Sequence, residues 1–189
     1  MRNSLRLAFK SNRSGFTLIE ILVVVAIIGI LVSFVTLNFS DARKKSRDQA
    51  RKSDLQSLQL AIETYKAQNG VYPEAGCGAD GGRWAGPGPY SAGWGVTCDE
   101  YAVGLVPTYI KALPEDPNQE DIEDRGFIYR TSADRKSYKL MVHQSVETLF
   151  VTSFNDEFAR CPRNCEWQAS GALPRPTEYA VYSVGAEGW

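Results

Sequence analysis

Glu20 is a carboxylate inside an apolar run: Phe16-Thr-Leu-Ile-Glu20 leads into Ile21 to Val32, which is apolar without a break. Such a charge costs about 3 kcal/mol at the centre of a bilayer and less near its edge, and it marks a function with a named partner or an interfacial residue. Four cysteines, Cys77, Cys98, Cys161 and Cys165, offer disulfide chemistry. Cys161-Pro-Arg-Asn-Cys165 also reads as half a zinc site, with no second pair near it in sequence. Glu115, Asp116, Glu120, Asp121, Glu123 and Asp124 form an acidic run. Oxygen-rich clusters suit calcium, with Asp116, Asp121 and Asp124 the candidates, but the alternating ligand spacing of an EF-hand loop is missing, so the run reads as a solvated loop. His143 is the single histidine and falls in an expected strand without a catalytic partner set. With no phosphate loop, nucleophile elbow or carboxylate pair at catalytic spacing, the chain does not read as an enzyme, and no cofactor is expected, calcium being the one weak candidate.

These residues need elements to position them. Phe16 to Phe39 would be about 36 Å long as a helix, enough to cross a hydrocarbon core of about 30 Å. Its β-branched content suits a buried strand, but the run is far too long for one. Met1 to Gly15 carries Arg2, Arg6, Lys10 and Arg13 and no acid, as a cytoplasmic basic leader would. Arg43, Lys44, Lys45, Arg47, Arg51 and Lys52 follow the span and blur the charge rule for orientation. A conventional secretory signal would be cut beyond the apolar run, where Ser40-Asp41-Ala42 stands, but Glu20 within the run argues against it. The helix is expected to continue to Asn69, because Leu55, Leu58, Ile62 and Tyr65 make one apolar stripe and Asn69-Gly70 then Tyr72-Pro73 stop it. Asp41 to Asp54 is polar nearly all round and reads as a bridge between membrane and head. Its cations would face solvent, lipid phosphates or acidic neighbours.

Ala75 to Gly95 is rich in glycine and proline, which oppose helix and strand, so a surface loop is expected; Trp84, Tyr90 and Trp94 would pin it to its own domain or, less often, stack on a sugar or a partner. A short helical turn is expected within Asp99 to Lys111. Phe127 to Tyr129, Tyr138 to His143, Leu149 to Phe154 and Tyr179 to Val184 read as strands, the first two joined by the polar turn Ser132 to Ser137.

Basic residues, Gly15, Phe16-Thr-Leu-Ile-Glu20 and the long apolar run together resemble the signal of the type IV pilin and type II secretion pseudopilin superfamily. The likeness is continuous over Ser14 to Leu31. Leu113-Pro-Glu-Asp-Pro117 and the closing Tyr-Ser-Val-Gly-Ala-Glu-Gly resemble stretches of major pseudopilins. The resemblance implies that a prepilin peptidase cuts between Gly15 and Phe16 and methylates the new amine of Phe16. It implies that Glu20 pairs with the Phe16 amine of a neighbouring subunit, which relieves the burial cost of both charges and sets subunit register. Losing the four basic residues of the leader takes the net charge from −1 to −5, which argues against a general nucleic-acid binder. The family often has a helix-bending proline where Leu37 stands here. Its calcium site draws mainly on carboxyl-terminal residues, and the chain stops at Trp189.

The expected fold is therefore α+β and pilin-like: a long N-terminal helix, half transmembrane and half amphipathic, packed on a small antiparallel sheet. The expected divisions are a cleaved leader (1–15), a transmembrane or filament-core helix (16–39), an amphipathic helix (40–70) and an extracytoplasmic head (71–189). An exported head favours disulfides, and of the three possible connectivities Cys77–Cys98 with Cys161–Cys165 closes most locally. The expected function is structural subunit of a filament built from the cytoplasmic membrane, a type II secretion pseudopilin. Alternatives are a type IV pilus subunit, major or minor, and a singly anchored binding module that does not polymerise. Expected partners are copies of itself, other pilins or pseudopilins, the prepilin peptidase, the inner-membrane assembly platform and membrane lipid, with no nucleic acid. The N-terminus would face the cytoplasm and the head the other side.

Overall fold

The computed structural model describes residues 15–79, 82–90, 94–118, 124–161 and 176–189; the side chains of 34–38 lie outside the description. Asp121 and Cys165 are therefore outside the described residues, as is the leader up to Ser14. The chain divides into two compact units, 1–40 and 41–189. One 52-residue helix, α1, runs Leu18–Asn69. It stops where expected: Gly70 takes φ of 79° and its N–H donates to the Lys66 carbonyl at 2.8 Å, the left-handed step that glycine makes at least cost.

In the first unit, the apolar side chains from Ile21 to Val32 all stand exposed. The expected span 16–39 includes residues whose side chains are not described. Among the described residues no helix is long and apolar enough to cross a membrane.

In the second unit, five strands form one sheet in the order β2-β1-β3-β4-β5. They are β1 Trp84–Gly86, β2 Gly95–Thr97, β3 Gly126–Thr131, β4 Tyr138–His143 and β5 Tyr179–Tyr182. β3, β4 and β5 alternate strictly. Phe127, Tyr129, Leu140, Val142, Tyr179 and Val181 join Leu55, Leu58 and Ile62 of α1 in the main core. Ile128, Met141 and Ala180 point the other way, into a smaller cluster under Trp84, Tyr90, Trp94 and Trp189. A pleated strand sends successive side chains to opposite faces, so both faces of this sheet need a cover, and both have one.

Three expectations are corrected here. The sheet is mixed, because β1 and β2 pair in parallel while the other neighbours are antiparallel. The glycine-rich stretch contributes two strands instead of forming only a loop. Glycine permits these strands: a Cβ on Gly86 would lie 2.2 Å from the Phe127 carbonyl oxygen, so a side chain there would hold β1 away from β3. Asp99 to Lys111 does hold the short helical turn expected of it, Tyr109 N–H donating to the Leu105 carbonyl at 2.8 Å. Leu149 to Phe154 is not a strand, for a reason that lies in the ion network described below. Cys77 and Cys98 are joined, their Cα atoms 5.8 Å apart, as local closure predicted. Cys161 is also disulfide-bonded.

Candidate functional site

The first unit carries its chemistry at the start of α1. Thr17 is the cap and Glu20 the third residue of the helix. The Thr17 backbone N–H and hydroxyl both donate to Glu20 Oε2 at 2.8 Å, and the Glu20 N–H returns to Thr17 Oγ1 at 3.3 Å. This is a capping box: two helix-end donors that have no partner within the helix are satisfied reciprocally. The signal was in the sequence as Thr17-Leu-Ile-Glu20, threonine and glutamate three apart ahead of an apolar run, and the reading of Glu20 as a charge in search of a partner passed over it. Phe16, Ile19, Glu20, Val23 and Val24 line one open groove, as residues three, four and seven apart do on a helix. Phe16 is 84% exposed. Glu20 Oε1 accepts no hydrogen bond among the described residues, so one oxygen fixes the helix start and the other is left open.

In the second unit, residues that read as a polar bridge converge on a buried ion network. Asp48 and Arg51 are fully buried. Asp48 accepts the backbone N–H groups of Glu147, Thr148 and Leu149 at 3.0, 2.7 and 2.9 Å, and the Thr148 hydroxyl at 3.0 Å. Arg51 grips Asp116 with two bonds of 2.9 and 2.7 Å, and its Nη1 also reaches Asp48 at 2.7 Å and Glu147 at 3.0 Å. Arg47 forks onto Glu147. Burial alone would raise the Asp48 pKa, but the three backbone donors outweigh it and hold it below the usual range. The Arg47 fork, helped by Arg51, pulls Glu147 down to about 2 against the cost of burial.

The network corrects the expectation that the cations of Asp41 to Asp54 face solvent, lipid or neighbours: Arg47 and Arg51 are taken up inside the head. It also explains the missing strand, because N–H groups donated to a carboxylate cannot build a ladder. Asp116, a calcium candidate, spends both carboxylate oxygens on Arg51, and its Oδ1 also accepts the Asn118 N–H. Asp124 stands at φ of 59° with its N–H on the Pro89 carbonyl. Among the described residues no group of three or more His, Cys, Asp or Glu is placed to hold a metal ion. His143 is buried, with Nδ1 2.7 Å from Glu178, which also meets Arg160 at 2.7 Å; Trp94 packs over its ring at 4.8 Å.

Comparison with known proteins follows the same line. The type II secretion system core protein G of Aeromonas hydrophila is 38% identical over 111 residues, covering 57% of this chain and 69% of that protein. That of Vibrio cholerae serotype O1 is 35% identical over 124 residues, 62% of this chain and 77% of its own length. The chain belongs to the type II secretion system core protein G family. The core protein G of Escherichia coli K12 matches over a shorter stretch, 39% identical over 69 residues, 36% of this chain and 48% of that one. The prokaryotic N-terminal methylation motif matches residues 10–36, which include the Gly15–Phe16 junction and Glu20. No solved structure matches at a significant level.

Proposed function

We propose that the chain is a structural subunit of a type II secretion pseudopilus, held in the cytoplasmic membrane by residues 16–39 until it enters the filament. The observation that carries this reading is the groove at the start of α1. An exposed apolar face with one carboxylate in it cannot stay in water, and a neighbouring copy offers both an apolar surface and, once the leader is removed, an amine. The Phe16 amine of one subunit then meets Glu20 Oε1 of the next. A subunit docked at the wrong height leaves two buried charges unpaired, so the pair sets the axial step. Arg47, Asp48 and Arg51 hold the head on the second half of α1, and no catalytic role is assigned to the groups described on the head. The partners are therefore other copies, further pseudopilins, the prepilin peptidase and the assembly platform.

The test is expression with the peptidase and assembly machinery, followed by shearing and imaging. Filaments that contain this chain are expected. A processed chain that stays a dispersed, singly anchored membrane protein under those conditions would sink the proposal.

A further inference from the structure

A second site lies on the head, between the segment that follows α1 and the turn joining β3 to β4. It is a cleft of about 460 Å³ lined by Glu74, Gly82, Arg130, Thr131, Ser132 and Arg135, among others. Two guanidinium groups face it, and neither is ion-paired among the described residues. Arg130 lies over the rings of Trp84 and Trp189, at 5.8 and 4.7 Å, and its Nε is buried without a hydrogen-bond partner. Burial pulls its pKa below the ordinary arginine value, as expected of a cation stripped of water with no anion beside it. Arg135 donates only to neutral oxygens, the Tyr72 carbonyl at 2.7 Å and the Tyr65 hydroxyl at 3.3 Å. Gly82 keeps the approach to Arg130 open, since a Cβ there would lie 2.8 Å from Arg130 Nη2. The nearby Asp134 is occupied by the Ser132 hydroxyl and the Lys136 N–H.

We propose that this cleft is a docking site for an acidic peptide segment, with a side-chain carboxylate seated on Arg130. A half-buried guanidinium without a counter-ion is a poor way to end a fold, because the desolvation is borne and the pairing that offsets it is missing. A planar fork of N–H donors matches a carboxylate. With Glu74 at the rim, the two arginines leave the lining a net charge of +1, which suits a single carboxylate better than a doubly charged phosphate. The volume holds several peptide atoms beyond the carboxylate, so a chain segment fits where a lone ion would leave space.

The test uses the full chain in a neutral detergent, with fluorescence anisotropy of labelled, end-capped Gly-Ala-Glu-Ala-Gly and of the end-capped neutral control Gly-Ala-Gln-Ala-Gly. The acidic peptide is expected to bind and the neutral one not. Arg130→Gln should weaken binding about tenfold or more, the size of one charged hydrogen-bonded pair. Arg130→Lys should recover part of it. Glu74→Gln removes an exposed like charge and should tighten binding about twofold to threefold. If Arg130→Gln fails to fold, Glu74→Gln and Arg135→Gln decide the matter. Equal binding of the neutral peptide, indifference to both Glu74→Gln and Arg135→Gln, or displacement by acetate or phosphate at concentrations matching the peptide would overturn the assignment.

Discussion

Glu20 closes the capping box with Thr17, and in the proposed function it is also the counter-charge to an amine; substitution separates the two. The counter-charge duty predicts that Glu20→Ala blocks filament growth while the lone subunit stays stable, because only the assembled state buries an amine. The error is about 3–5 kcal/mol per subunit, and it recurs at every step. The capping duty is worth about 1 kcal/mol at the helix start. Thr17→Ala removes the cap and leaves the carboxylate, so it should retain most of the filament yield, and Glu20→Gln should fall between. The measurement is sheared filament against total membrane-bound subunit. If Thr17→Ala were as damaging as Glu20→Ala, the glutamate would be acting through the helix start. Glu147 offers a second residue-scale test. Its folded pKa of about 2 lies below its ordinary 4.5, so the stabilisation is complete above about pH 4.5 and declines as pH falls towards 2. The stability gap between wild type and Glu147→Gln should close over that window in acid-dependent melting curves; a constant gap would show that the charge contributes nothing.

At the scale of elements, α1 is fastened to the head by two different means. Leu55, Leu58 and Ile62 supply apolar burial without direction. Asp48 and Arg51 supply direction, because a carboxylate that accepts three successive N–H groups tolerates one position only. Removing Asp48 leaves those three buried N–H groups without an acceptor and takes one of three carboxylate partners from Arg51. Asp48→Ala is therefore expected to cost about 3–5 kcal/mol, read as a lowered melting temperature of the head, whereas Lys45→Ala on the exposed side of the same helix should cost little. A near-neutral Asp48→Ala would mean that the apolar stripe alone holds the helix. A disulfide fastens the head to itself. It ties Cys77 to Cys98 across a separation of 21 residues, and closing such a loop is worth about 3 kcal/mol in the chain-entropy model. Paired serine substitution should lose about that much and make 77–98 the first segment cut in limited proteolysis. Unchanged proteolysis would assign the order of that segment to β1, β2 and the tryptophans.

At the scale of the whole molecule, the two units divide the work. In the proposed function residues 16–39 answer to membrane and filament, while the head answers to its own core. Processing connects them. Intact-mass measurement of membrane-extracted protein is expected to give a chain beginning at Phe16 with one added methyl group. A start near Phe39 to Arg43, or an uncut Met1, would remove the amine on which the assembly pairing depends. Losing the leader also turns a nearly neutral chain into one of net charge −5, four positive charges being removed from a total of −1.

Local pattern was enough for everything whose cause is local. The apolar run, the stripe at Leu55, Leu58 and Ile62, the stop at Asn69-Gly70, the alternation of β4 and the short closure between Cys77 and Cys98 each rest on neighbours in sequence. Thr17-Leu-Ile-Glu20 belongs with them, although the weight of the charge hid the cap. Tertiary structure decided whatever depends on distant partners. Asp48 and Arg51 look like a solvated face because their partners stand 65 to 101 residues away. Leu149 to Phe154 has the composition of a strand, yet the Leu149 N–H is taken by Asp48 and the Val151 N–H by the Pro176 carbonyl. Gly86 looks like a strand breaker until Phe127 closes on it. A residue's own propensity is worth a few tenths of a kcal/mol to about one, and a buried charge or a blocked close approach is worth several, so at these positions the distant partner sets the outcome.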